Sequence, residues 1–443
     1  MPSFRPIRRF HGLFFLRMCF YATLAFATCC PLPAQTTQVE QLTEQVLSKV
    51  ISWRRDFHAN PELSNREFRT AAKVAAHLRS LGMQVDTGIA HTGVAAVLTG
   101  GRPGPTVALR ADMDALPVTE RVDLPFASHV QSTYLGQTVG VMHACGHDAH
   151  TAILMGVAEV LSAMRKEVPG NVLFIFQPAE EGAPPGEQGG AELMLKEGLF
   201  EKYKPEVVFG LHITADLAAG NIRYKPGSLL AAADKFSIQV TGRQSHGSRP
   251  WSGVDPIVTA SQIVLGLQTI VSRQIELTLE PAVLTVGKLT SGVRNNIIPE
   301  SAEMVGTIRT FDPDMQDDIH ARIRRTAVSI AESQGASAAV NIERQYPVTV
   351  NHPELTARML PALFAAAGED KVHVTRPVTW AEDFSFYANE VPGLFFFLGG
   401  MPAGADPMQV PSHHTPDFFI DESGFDVGIR ALSLLALHYL QGN

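Results

Sequence analysis

The stretch "MHACGHDAH" (residues 142–150) sets Cys145 among His143, His147, Asp148 and His150. Other metal-binding residue types stand far away in the chain: Glu181 in "QPAEEG", His212 in "GLHI" and His414 in "PSHHTPDFF". Cys145, His147, Glu181, His212 and His414 are soft and borderline donors that suit zinc first, with manganese or cobalt as alternatives. Five side chains exceed the needs of one tetrahedral ion. They suit two divalent metal ions held about 3.5–4 Å apart. Cys145 would serve as thiolate, because nearby divalent charge pulls its pKa down. Glu180 adds a second element. Successive side chains of an extended segment point in opposite directions, so Glu181 can bind metal while Glu180 faces a water as general base.

The other cysteines explain why Cys145 has no partner. Cys19, Cys29 and Cys30 lie in a segment that begins with Arg5, Arg8 and Arg9 and continues through "MCFYATLAFATCC" to "PLPAQT". This is the layout of a secretory signal peptide over residues 1–34, cleaved after Ala34, and it predicts a periplasmic or secreted enzyme. In an oxidising compartment Cys145 is then a free thiol, an intermolecular partner or a metal ligand. The leader's apolar run is shorter than the roughly 20 residues of a spanning helix, so no membrane association is expected after cleavage. A net charge of −8, with no Lys/Arg cluster outside the leader, speaks against nucleic acid as a partner.

Strands and helices must carry these groups to one place. "TVALRADMD", "NVLFIFQPAE" and "EVVFGLHI" read as buried parallel strands, with "HTAILMGVAEVLSAMRK" as a helix between two of them. Two further helices are expected over residues 40–83, broken at Asn60-Pro61 and ended by Gly82. The strands end at Asp112 and Asp114, at Glu180 and Glu181, and at His212. Ligand sites of α/β sheets lie at such carboxyl ends. From about residue 228 the texture changes. "KFSIQVTGR", "DPIVTASQIVLGLQTIVSR", "AVLTVGKLTSG", "ESAEMVGTIRTF", "MQDDIHARIRRTAVSIAESQG" and "SAAVNIERQY" give strand–helix–strand–strand–helix–strand, the ferredoxin-like α+β layout. The first pattern resumes with "FFFLGG" and a last helix. The fold class is therefore α/β: a mixed, mostly parallel sheet over residues 35–227 and 345–443, with residues 228–344 inserted as a smaller domain.

The ordered series "RRDFHANPELSNREFRT", "RADMDALPV", "MHACGHDAHTAILMG", "QPAEEG", "GLH", "NNIIP", "GTIRTFD", "AEDFSFY" and "HHTPDF" resembles the M20 metallopeptidases. The match is to the amidohydrolase branch, which includes hippurate hydrolase, N-acyl-amino-acid amidohydrolase and auxin-conjugate hydrolases. It covers essentially everything after the leader. The resemblance implies a dinuclear centre in which Cys145 takes the place of a bridging aspartate, and His147, Glu181, His212 and His414 match the other ligands. Glu180 matches the catalytic base, and Asp114 matches an acid that orients a ligand histidine. Asp112 stands where other branches have a ligand histidine. The inserted domain is similar to the family's lid and dimerisation module, which implies a homodimer. His246 in "GRQSHGSRP" matches a histidine that stabilises the oxyanion, often from the partner subunit. Asn296 and Arg309 match residues that hold the substrate's carboxylate. The implied activity is hydrolysis of N-acyl amino acids, with di- or carboxypeptidase action and a catalytically silent metal-binding protein as the alternatives. Trp251 replaces a histidine common in the branch, either as a substrate-facing aromatic or as a packed lid residue. The "EEGAPPGEQGGA" segment is longer than its usual counterpart and is expected to reshape the site entrance.

Overall fold

The computed structural model describes residues 32–442. The leader expected at residues 1–34 lies outside them apart from its last positions, where the helix Leu32–Ala59 begins. None of the described helices is long and apolar enough to cross a membrane.

An eight-stranded sheet forms the larger layer, in the order Gln84–Ile89, Gly93–Thr99, Pro169–Gln177, Arg102–Asp112, Val207–Ala218, Gly393–Met401, Ile222–Tyr224, Val372–Val374. Its four central strands run parallel. Parallel strands covered on both faces need apolar residues at nearly every position, and every residue of Gly393–Met401 is buried. Alternation sorts the two faces. Val107, Leu109 and Ala111 pack with the helices His147–Ala163 and Phe425–Leu440, while Ala108 packs on the opposite side with Phe384 and Tyr387. The His147–Ala163 helix is apolar almost all round, as a helix buried between layers must be.

The expected helices over residues 40–83 are Leu32–Ala59 and Phe68–Ser80. A second sheet of four antiparallel strands takes the order Ala282–Ser291, Ser301–Thr310, Ala232–Thr241, Ser337–Tyr346. The helices Pro256–Thr269 and Pro313–Ser333 pack against it through Ile263, Leu267, Ile319 and Ile323. This strand order and chain order are those of the split βαβ sandwich. Its last strand runs to Tyr346, beyond the boundary expected at residue 344.

Candidate metal centre

The central strands converge on one edge with their polar residues. Asp112 ends its strand, and Glu180 and Glu181 follow Gln177 across a backbone reversal at Ala179, where φ is +53°. His212 differs from expectation, because its strand continues to Ala218 instead of stopping there. Pairing with Gly393–Met401 carries the strand onward, whereas its ladder with Arg102–Asp112 stops at Gly210. One flank of His212 is thereby open at the sheet edge. Cys145 and His147 enter from the helix start, separated by Gly146 at φ +96°. A Cβ there would lie 2.5 Å from Ile213 Cγ2, so only glycine fits between the two. His414 is brought in by its loop, its N–H donating to the Ala144 carbonyl at 2.8 Å.

The five expected ligands meet. Cys145 Sγ lies 3.4 Å from His212 Nε2 and 3.3 Å from His414 Nε2. Glu181 Oε1 is 3.0 Å from His414 Nε2, and His147 Nε2 is 4.0 Å from the same oxygen and 3.8 Å from Glu180 Oε2. His212 Nδ1 donates to the Ile213 carbonyl at 2.6 Å, which leaves Nε2 with a free lone pair. His147 Nδ1 donates to the Asp114 carbonyl at 2.9 Å, with the same effect. His147 Nε2 is buried and makes no hydrogen bond. Such an orphaned lone pair is costly unless a cation takes it.

The electrostatics agree. Burial alone would lower the His147 pKa, yet Asp112, Asp114 and Glu181 overcome it and raise it to about 10. Burial, then Glu181 and Glu180, push the Cys145 thiol well up. Burial, then Glu382 and Glu181, push Glu180 well above the usual carboxylate range. At His147, Cys145 and Glu180 the field favours protons, as one that lacks positive charge does. The donor set and this field fit divalent ions.

Sequence reasoning did not single out the frame behind these groups. Arg110 is fully buried and binds Asp112 at 2.7 Å, Glu382 at 2.9 Å and Asp383 at 2.7 Å, with Gln177 at 2.8 Å. Its neighbours lie in "RAD", "QPAEE" and "AEDF", motifs already quoted, but the pairing across the chain leaves no local signal. Asp112 has both oxygens engaged, one by Arg110 and the other by His150 Nδ1 at 2.6 Å. It thus holds Arg110 and His150 in place. His413 was also unforeseen. It is mostly buried, clusters with Cys145 and His212, and has an unpartnered Nδ1.

A cavity of about 390 Å³ opens beside the centre, lined by Cys145, Glu180, Glu181, His212, His414 and Arg309. Among the described residues the Arg309 guanidinium donates only to Thr307 Oγ1 and the Ile308 carbonyl, at 2.6 and 3.2 Å. His246 and Asn296 do not line this cavity. They adjoin on the small ladder Ser245–His246 with Ile297–Ile298, both exposed. Trp251 is 79% exposed, so it is not packed within the inserted domain.

The model of Peptidase family M20/M25/M40 matches residues 108–438. The chain is 39% identical over 317 residues to the N-acyl-L-amino acid amidohydrolase of Geobacillus stearothermophilus, covering 72% of this chain and 82% of that one. It is 39% identical over 392 residues to thermostable carboxypeptidase 2 of Saccharolobus solfataricus, covering 88% and 95%. The crystal structure of a dinuclear metal-binding M20 peptidase from Bacillus subtilis superposes with a TM-score of 0.75 at 34% identity, covering 90% of this chain and 99% of that one. The chain belongs to peptidase family M20 and is a hydrolase of its amidohydrolase branch.

Proposed function

We propose that the chain cleaves the amide bond of N-acyl amino acids, giving a carboxylic acid and a free amino acid. One observation carries this reading. His147, whose buried Nε2 makes no hydrogen bond, gathers with Cys145, Glu181, His212 and His414 beside a cavity that also holds Arg309. Those five side chains would hold the two divalent ions, zinc by preference and manganese or cobalt otherwise. The chemistry supplied by bound ions is polarisation of the scissile carbonyl and acidification of the attacking water.

The protein's own groups do the rest. Glu180 takes the water's proton on its carboxylate and returns it to the leaving nitrogen. Asp114 keeps the His147 ring in the tautomer whose Nε2 is free. Arg309 grips the amino-acid carboxylate. His246 and Asn296, exposed together on the inserted domain, suit action on the site of a second subunit in a homodimer. There His246 would donate to the oxyanion, a contact worth roughly 3–4 kcal/mol. The basic and apolar character of residues 1–34 supports export to the periplasm or beyond.

Metal analysis of the purified protein followed by N-acetyl, N-benzoyl and N-aminoacyl substrates tests the reading. Two ions per chain and fastest turnover of the N-acyl compounds are expected, with activity lost to chelator. Faster turnover of free peptides would favour carboxypeptidase action, as in the Saccharolobus relative's name.

A further inference from the structure

A second cavity, of about 460 Å³, also reaches Glu181. Glu181 is the one residue that lines both. The new cavity is also tied to the centre at its floor, where Ser64 donates to Asp114 at 2.7 Å and Ala115 follows that aspartate. We propose that this cavity receives the acyl group of the substrate and selects aryl or medium-length alkyl acyl chains. The proposal rests on the amidohydrolase reading above.

The walls set the ligand chemistry. Phe68, Leu116, Tyr134, Leu135 and Pro184 face the space, and Phe68 and Leu135 stand 62% and 67% exposed. Large apolar side chains gathered on a concave surface mark a ligand site more often than they mark nothing. The volume falls within the roughly 300–1,000 Å³ of small-molecule sites. Apart from Glu181, the one charged residue of the lining is Arg66, and it is neutralised. Its Nη2 lies 2.5 Å from Glu187 Oε1 and its Nη1 3.0 Å from Oε2. No free charge faces the ligand, so the group bound here is neutral and apolar.

The orientation follows from the other cavity. Arg309 has no carboxylate within ion-pair distance among the described residues, so the substrate's carboxylate belongs on that side. The scissile amide then sits beside Glu181, and the acyl chain continues past Gly182 into the second space. The "EEGAPPGEQGGA" segment contributes Glu181, Gly182, Pro184 and Pro185 to this wall. It is pinned by Glu187 on Arg66, by Asn65 Nδ2 on Glu187 at 3.1 Å, and by Asn65 Nδ2 on the Gln188 carbonyl at 3.0 Å. The segment is therefore a fixed wall of the pocket instead of a loose flap.

The test measures kcat/KM for N-acetyl, N-benzoyl and N-octanoyl derivatives of one amino acid, using metal-loaded wild type, Phe68→Ala and Ser132→Trp. Phe68 opens a wall at the exposed start of a helix, and Ser132 stands on an exposed strand, so neither change threatens the core. Expected is a loss of roughly tenfold or more on the two large acyl groups, mainly in KM, with N-acetyl turnover changed less than about twofold. An equal loss on all three substrates, or no loss on any, would overturn the acyl assignment while leaving the amidohydrolase reading intact. A wild-type protein that cleaves none of the three would instead sink that reading, and this one with it.

Discussion

His147 is held by Asp114 at two points, the ring Nδ1 lying 2.9 Å from its carbonyl oxygen and 3.2 Å from Oδ1. The same carboxylate accepts the N–H groups of Glu180 and Glu181 at 3.1 and 3.0 Å and the Ser64 hydroxyl at 2.7 Å. One acid thus sets the direction of a ligand ring from a helix start and the backbone of an acid pair from a strand end. It is itself buried, and its pKa is lowered because contacts with His147 and Ser64 outweigh burial.

Replacing this acid should loosen the centre without removing a ligand. Asp114→Asn is expected to weaken metal affinity by roughly 10–100-fold, the usual cost of losing the group that orients a ligand histidine. Competition against a chelator of known affinity measures it. Ser64→Ala, which removes one donor and keeps the carboxylate, should have the smaller effect.

Glu180 should be separable from metal binding. Glu180→Gln is expected to retain both ions by metal analysis and to lose roughly 10²–10⁴-fold in kcat, the range for a positioned general base. Retention of the wild-type rate with both ions in place would transfer the base role to another group.

Several of the side chains that gather at the centre stood out in the sequence because they sit where chain pattern and chemistry disagree. Glu180 and Glu181 end the apolar run "VLFIFQP", and His212 interrupts "VVFGLHI". Neither a core strand nor a solvated turn has use for such groups there. The Arg110 frame was not legible. Arg110 reaches Asp383, 273 positions away, and only folding makes them neighbours. The end of the His212 strand was misplaced for a related reason, since Thr214 to Ala218 stay extended by pairing with a strand nearly two hundred residues later. The roles of His246 and Asn296 belong to a resemblance, and one chain leaves both on an outer ladder.

Arg309 offers a test of substrate polarity. Arg309→Ala should raise KM for N-acyl amino acids, costing roughly 1.5–3 kcal/mol in kcat/KM as a charged hydrogen bond does. The corresponding N-acyl amino-acid amides, which carry no carboxylate, should respond far less. A matching loss on both substrate sets would make Arg309 a structural contact of the Ser301–Thr310 strand.

His58 links the first helix to the base of the helix that carries His147. Its Nδ1 lies 2.8 Å from Asp148 Oδ2 and its Nε2 3.0 Å from Glu120 Oε1, with Arg54 also 2.9 Å from Asp148. Burial alone would lower the His58 pKa, and Arg54 opposes its charge, but hydrogen bonds to Asp148 and Glu120 prevail and raise it above the ordinary value. A folded-state pKa above the unfolded one stabilises fully below the unfolded value and loses that contribution as pH rises through the folded one. Wild type should therefore exceed His58→Gln in Tm by most near pH 6, with the gap narrowing toward pH 9. Thermal melts of the two holoenzymes at pH 6, 7.5 and 9 measure this. A gap that stays constant would mean that folding leaves the His58 pKa unshifted, and one that widens toward pH 9 would mean that the folded ring is kept neutral.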